Sequence, residues 1–167
     1  MKATLYNVIS ADGYIMTKDG DGSFIPDSLW PTVLAVFEQY PIFLMGRKTY
    51  DAFQNYGEAL LGPFEKLRLR KIVASRDKSF HPKLGYEVIE NPEDFIRQNQ
   101  GVLVSSGSIF NNYLFQNSLI DIIILHRLSD FLGEGIKPFE DRFLNDFTLV
   151  SEKQVDGAKE LFYKVSK

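Results

Sequence analysis

The chain alternates short apolar runs with segments of amphipathic or turn composition. Residues 3 to 9 (ATLYNVI) are largely apolar and read as a buried first strand, with Asn7 the polar interruption. Residues 10 to 25 (SADGYIMTKDGDGSFI) are rich in Gly and Asp and read as a long loop. A loop of that length in a compact domain is either functional or disordered. Asp27 or Ser28 can cap a helix over Leu29 to Gln39; Pro31 falls in its first turn, where its missing N–H is harmless, and Pro41 ends it. Ile42 to Met45 is an all-apolar run suited to a strand buried on both faces, and a turn at Gly46 leads into a helix over Lys48 to Gln54. The same unit recurs: strands over 71–74, 86–89 and 102–104, a helix over 92–98 with Asn91 as cap, and a helix over 109–116. Ile120 to Leu128 is a long apolar strand, and 147–155 and 160–165 are strands joined through Asp156-Gly157, a hairpin signal. Strands alternating with helices and followed by a hairpin predict an α/β protein, its sheet mostly parallel with antiparallel additions.

At 167 residues the chain fits one domain, 1–167, large enough to bury a sizeable core. Fourteen Phe and eight Tyr supply an aromatic core or a flat pocket for rings. Nineteen basic residues against 22 acidic ones leave a formal net charge of −3, which argues against nucleic acid as a partner. The one basic cluster, Lys66 to Lys71 (KLRLRK), reads as a solvated strand edge. With no Cys and only His81 and His126, no metal site is expected, and His126 in its apolar strand reads as a satisfied core or interface residue. No stretch approaches the roughly 20 apolar residues of a membrane span, and the N-terminus does not read as a signal peptide. No membrane association and a cytoplasmic location are the expectations.

Candidate chemistry gathers where strands end. In parallel sheets ligands sit beyond the carboxyl ends of the strands. Three strands here end in small or cationic residues: Gly46-Arg47-Lys48-Thr49, Ser75-Arg76, and Ser106-Gly107-Ser108. Two of these open helices, whose free N–H groups and positive dipole suit a phosphate. Glycine permits close backbone approach, and Arg, Lys, Ser and Thr add hydrogen bonds. Together they make a cradle for a dinucleotide.

Four stretches carry a family resemblance. Pro41 to Tyr50 (PIFLMGRKTY) is similar to the strand–turn–helix of dihydrofolate reductases, where an apolar strand runs into Met-Gly-Arg-x-Thr. KIVASR is similar to the family's Ile-Val-Leu-Ser-Arg strand. SADGYI, residues 10 to 15, resembles the Ser-Leu-Asp-Gly-x-Ile loop of the riboflavin-biosynthesis pyrimidine reductases, and Val102 to Glu140 resembles the same branch through its Leu-Gly-x-Gly-x-x-x-Phe loop at Leu132 to Phe139. They occur in the family's order along nearly the whole chain. The resemblance implies a dihydrofolate reductase-like three-layer α/β fold and NADPH as cofactor. It places Gly46, Arg47, Lys48 and Thr49 at the cofactor phosphates, and Ser75 and Arg76 near the adenosine ribose and its 2′-phosphate. It places Ser106, Gly107, Ser108 and Ile109 at the pyrophosphate. Ile15 and the Asp12 loop would border the nicotinamide, with Asp12 toward the substrate, and Arg70 would stand in for the family's folate-carboxylate Arg.

Three departures bear on function. The family's paired Gly is here Ser106-Gly107, which brings a Cβ and a hydroxyl toward the pyrophosphate. The acid that dihydrofolate reductases carry in the first helix falls one residue early, at Asp27, which is either an enclosed proton donor or a helix cap. The Arg residues with which pyrimidine reductases hold a substrate phosphate are missing between Asp27 and Tyr40. The expectation is an NADPH-dependent reductase of a small heterocyclic substrate, pterin, folate or pyrimidine. The pyrimidine reductase of riboflavin biosynthesis and an NADP-binding module without catalysis stand as alternatives, and relatives in the pyrimidine branch make a homodimer a further expectation.

Overall fold

The computed structural model describes residues 2–166. Eight strands form one sheet: β1 (Ala3–Ile9), β2 (Ile42–Gly46), β3 (Arg70–Ala74), β4 (Tyr86–Ile89), β5 (Val102–Val104), β6 (Ile120–Arg127), β7 (Phe147–Val155) and β8 (Ala158–Val165). Their order is β4-β3-β2-β5-β1-β6-β8-β7. The first six in that order pair in parallel; β8 runs antiparallel to β6, and β7 antiparallel to β8. Gly157, at φ +84°, makes the tight β7–β8 turn that its sequence predicts. Five helices flank the sheet: α1 (Trp30–Phe37), α2 (Arg47–Gln54), α3 (Glu58–Glu65), α4 (Pro92–Gln98) and α5 (Ser108–Gln116).

The central strands are almost wholly apolar because both of their faces are covered; Thr4 and Asn7 of β1 are the buried polar exceptions. Every residue of β1 and β2 is buried. Alternate side chains serve opposite layers. Phe43 and Met45 pack with Val33, Phe37, Phe53 and Phe64 of α1, α2 and α3. Leu44 and Leu5 pack with Ile96, Leu114 and Phe115 of α4 and α5. Each fully buried side chain of this size contributes about 1.5–3 kcal/mol. The outermost strand β7 is mostly exposed and carries Glu152 and Lys153, which discourage edge pairing.

The sequence reading missed α3, because Gly62 and Pro63 interrupt its apolar pattern. It also misread the basic run. Lys71 is buried in β3, donating to the Leu67 and Leu69 carbonyls, and burial pulls its ammonium below the ordinary lysine range. Asn91 caps α4 as expected, accepting from the Asp94 N–H at 3.0 Å. Among the described residues no helix is long and apolar enough to cross a membrane.

Candidate functional site

Beyond the carboxyl ends of β1, β2, β3 and β5 lies a cleft of about 1750 Å³. That exceeds the few hundred to 1,000 Å³ of an ordinary small-molecule pocket, so it has room for a dinucleotide and a second molecule. Two helices open onto its middle. α2 begins at Gly46 and α5 at Gly107, and neither has a side-chain cap. Their first-turn N–H groups therefore carry the unopposed positive end of each helix dipole. Gly107 is extended (φ −83°, ψ 173°), and a Cβ there would meet no protein atom within 4 Å.

The residue at the family's first glycine turns inward. Ser106 is buried; its Oγ accepts from the Gly46 N–H at 3.0 Å and hydrogen-bonds Thr49 Oγ1 at 3.0 Å. Its hydroxyl thus ties the start of α2 to the end of β5 and does not occupy the cradle. Gly46 and Thr49 are shared in the same way: the Gly46 N–H and one Thr49 position are used internally. Beneath the turn, the fully buried Asn111 of α5 donates from Nδ2 to Asn7 Oδ1, the Ser106 carbonyl and the Pro138 carbonyl at 2.9–3.1 Å, while Asn7 Nδ2 also donates to the Ser106 carbonyl. Asn7, the polar break in an apolar strand, was the sequence signal for this network. Such a network fixes the Ser105–Gly107 backbone before any ligand arrives.

The cations of the cleft surround these helix starts. Arg47 stacks over Phe80 at 3.7 Å and pairs with Asp51 (3.0 Å) and Asp77 (3.7 Å). Lys48 and Arg76 line the cleft and make no ion pair among the described residues. Lys78, which sequence reading did not single out, also lines it and approaches Glu90 at 3.8 Å. Ser75 is buried, and its Oγ accepts from the Asp77 N–H, shaping the turn that presents Arg76. Ser108 and Ile109 line the same half, and Ile109 is largely exposed.

The other half of the cleft is aromatic and aliphatic. Ile25, Trp30, Val33, Phe37, Phe53 and Tyr56 line it. Trp30 Nε1 donates to the Leu60 carbonyl at 2.7 Å, so its polar edge is satisfied. Ile15, buried, holds the loop's border of the cleft, and Met16 and Ile136 form a bridge beside it. Sequence reading missed this wall, because single aromatics in α1 and α2 look like core until the helices are placed.

Three carboxylate and guanidinium assignments change. Asp27 lines the cleft but is exposed at its rim rather than enclosed, and it caps nothing: α1 begins without a side-chain cap. Asp12 does not line the cleft. Its carboxylate accepts from Ser10 Oγ (2.7 Å) and from the Leu132 (3.1 Å) and Gly133 (2.8 Å) N–H groups, which hold it below the ordinary carboxylate range. It clamps the two loops together. Arg70 sits at the opposite end of its strand, where it grips Glu87 of β4 with two bonds of 2.9 and 2.8 Å. Arg70 is therefore outside the lining of the cleft, with its guanidinium engaged by Glu87.

No protein-family sequence model matches the chain, and no curated protein sequence does so. Solved structures do match. A protein from Shewanella sp. PV-4 assigned to riboflavin biosynthesis superposes with a TM-score of 0.77 at 19% identity, over 100% of both chains. The diaminohydroxyphosphoribosylaminopyrimidine deaminase/5-amino-6-(5-phosphoribosylamino)uracil reductase of Thermotoga maritima gives 0.74 at 16% identity, over 99% of this chain and 56% of that one. Dihydrofolate reductase of Enterococcus faecalis, solved with NADP(H), gives 0.71 at 16% identity, over 99% of this chain and 97% of that one. With the strand order, the C-terminal antiparallel pair and the helices on both faces, these superpositions establish that the chain has the dihydrofolate reductase-like α/β fold.

Proposed function

We propose that the protein is an NADPH-dependent oxidoreductase that reduces a small ring compound. The observation that carries this reading is the division of one cleft into an anion-favouring half, built on two uncapped helix starts with Lys48 and Arg76, and an aromatic half beside it. The donor set fits a dinucleotide. First-turn N–H groups of α5 would take the pyrophosphate, Gly107 leaves room for it, and Arg76 would meet the 2′-phosphate. NADPH, when bound, supplies the hydride. The chain's own part is to fix the ring between Ile15 and the aromatic wall, to exclude water with the Ser10–Ser23 loop, and to present the Asp27 carboxylate at the rim as a relay for the proton the substrate takes up.

Cofactor choice is the first test. The 2′-phosphate adds nearly two negative charges, and one charge-assisted bond to Arg76 contributes about 1.5–3 kcal/mol, or roughly 10- to 100-fold preference for NADPH over NADH. Arg76→Ala should erode this preference by weakening NADPH alone, and added salt should do the same because Arg76 is exposed. Arg47 is held by Asp51, Asp77 and Phe80, so Arg47→Ala should disturb the loop as well as binding. Dissociation constants for both cofactors decide it; equal affinities in the unaltered protein would remove the 2′-phosphate assignment.

The proton donor is tested separately. Asp27→Asn should lower turnover by roughly 10²- to 10⁴-fold, with NADPH affinity and Tm unchanged, because the side chain caps no helix. The assay is NADPH oxidation on a panel of pteridine, pyrimidine and carbonyl acceptors. Cofactor binding with no turnover on the whole panel would favour a binding module instead.

A further inference from the structure

We infer that the aromatic half of the cleft takes an electrically neutral, planar ring compound and discriminates against substrates that carry a phosphate or carboxylate; this rests on the reductase reading above. The argument is the distribution of charge along one continuous cleft. Among the described residues the basic side chains that line it are Arg47, Lys48, Arg76 and Lys78, and all belong to the first turn of α2 or to the segment after β3. None comes from the 3₁₀ turn Asp27–Leu29, from α1, or from the 53–60 segment that completes the aromatic wall. The chain has no Lys or Arg between Asp19 and Arg47 at all.

The charges that do face this half are acidic. Asp27 stands at its rim, and Asp21 of the bordering loop is occupied by the Ser23 N–H and hydroxyl at 2.8 Å each. Arg70, the cation that would have answered a carboxylate tail, is bound to Glu87 at the far end of β3. An anionic group entering beside Trp30, Phe53 and Tyr56 would lose hydration, gain no cation and face Asp27. Lys48 shares helix α2 with Ala52 and Phe53 of this half. It sits in the first turn of α2, at the uncapped helix start that a cofactor phosphate would occupy. A neutral ring loses little on desolvation and gains contact with three aromatic side chains, for which T-shaped and offset packing are the favoured geometries.

Trp30 is the only tryptophan in the chain and lines this wall, so its fluorescence reports on the site directly. The experiment titrates the protein, with and without saturating NADPH, with quinoxaline, its ring carboxylate and the phosphate monoester of its hydroxymethyl derivative. Quinoxaline should quench Trp30 with at least tenfold higher affinity than either anion. Ala52→Arg, at an exposed cleft-lining position of α2, should raise the affinity for the carboxylate at least tenfold. A carboxylate or phosphate ester binding as tightly as quinoxaline would overturn the inference, and so would absence of quinoxaline binding under both conditions. Retained preference for quinoxaline with no measurable NADPH binding would support the neutral pocket and defeat the reductase reading instead.

Discussion

Gly107→Asp should abolish dinucleotide binding while leaving the protein folded, and slightly more stable. Gly107 is the N-cap of α5 in an extended conformation that any residue adopts, and a Cβ there meets nothing within 4 Å. The helix has no side-chain cap at present. Aspartate is among the best N-cap residues and improves on glycine by a few tenths of a kcal/mol, because its carboxylate accepts first-turn N–H groups and opposes the dipole. Those N–H groups are the ones proposed for the pyrophosphate. Losing two charge-assisted bonds at about 1.5–3 kcal/mol each would weaken NADPH binding by roughly 10²- to 10⁴-fold, before repulsion between the new carboxylate and the phosphates. The two readouts are Tm and the NADPH dissociation constant from Trp30 fluorescence. An unchanged dissociation constant beside a raised Tm would show that the α5 start is not the phosphate site.

Opposite shifts in stability and binding separate a ligand cradle from a loop that merely turns the chain, and they bear on what sequence could and could not disclose. Strands β2 and β5 were legible because both faces are buried, so each reads as an uninterrupted apolar run, and β1 reads the same way apart from Thr4 and Asn7. The hairpin was legible because Asp156-Gly157 supplies the backbone freedom the turn requires. Helix α3 was hidden, since Gly62 and Pro63 sit inside it and tertiary burial of Leu61 and Phe64 outweighs their poor propensity.

At the site, local chemistry was readable and direction was not. A Gly or Ser at a strand end signals close backbone approach wherever it lies, which is why Gly107 and Ser106 stood out. Which way Ser106 Oγ turns depends on Gly46 and Thr49, 60 and 57 positions away in the chain. The place of Arg70, outside the lining and paired with Glu87, was hidden for a related reason. A motif-like stretch fixes a residue's place in the strand, but the parallel direction of β3 decides which end reaches the cleft. The clamp made by Asp12 was hidden because two of its three donors come from the Leu132–Gly133 loop, some 120 positions on.

His126 gives the largest expected effect on stability. Its ring, 1% exposed, accepts the Tyr6 hydroxyl at Nδ1 (2.9 Å) and donates from Nε2 to Glu160 (2.9 Å), whose other oxygen meets Lys153 at 3.2 Å. An ionised Glu160 places a proton on Nε2, and in the neutral imidazole that burial favours Nδ1 is left to accept from Tyr6. Burial pushes His126 below its ordinary value, with the bond and charge of Glu160 pulling the other way. Burial likewise pushes the Tyr6 phenol up, so it stays a donor. For Glu160 burial acts upward, but the bonds from His126 and Lys153 together outweigh it, and the carboxyl lies below its ordinary range. His126→Phe would strand the buried Tyr6 hydroxyl and leave the Glu160 carboxylate with Lys153 alone, each costing about 1–3 kcal/mol, so the variant should lose roughly 2–6 kcal/mol. At about 2–4 °C per kcal/mol for a chain of this size, Tm should fall by roughly 4–24 °C. The pH dependence follows from the same shifts. Both groups bind protons more weakly folded than unfolded, so their contribution is complete above the ordinary histidine value near 6.5 and is lost as pH falls, through His126 first and Glu160 later. One such proton gives a slope of at most about 1.4 kcal/mol per pH unit. His126→Gln can still bond both neighbours but cannot titrate, so its urea-unfolding free energy should decline less between pH 7 and pH 5 than that of the unaltered protein. Equal declines in the two proteins would mean that His126 is not the group whose protonation opens the fold on that side of the sheet.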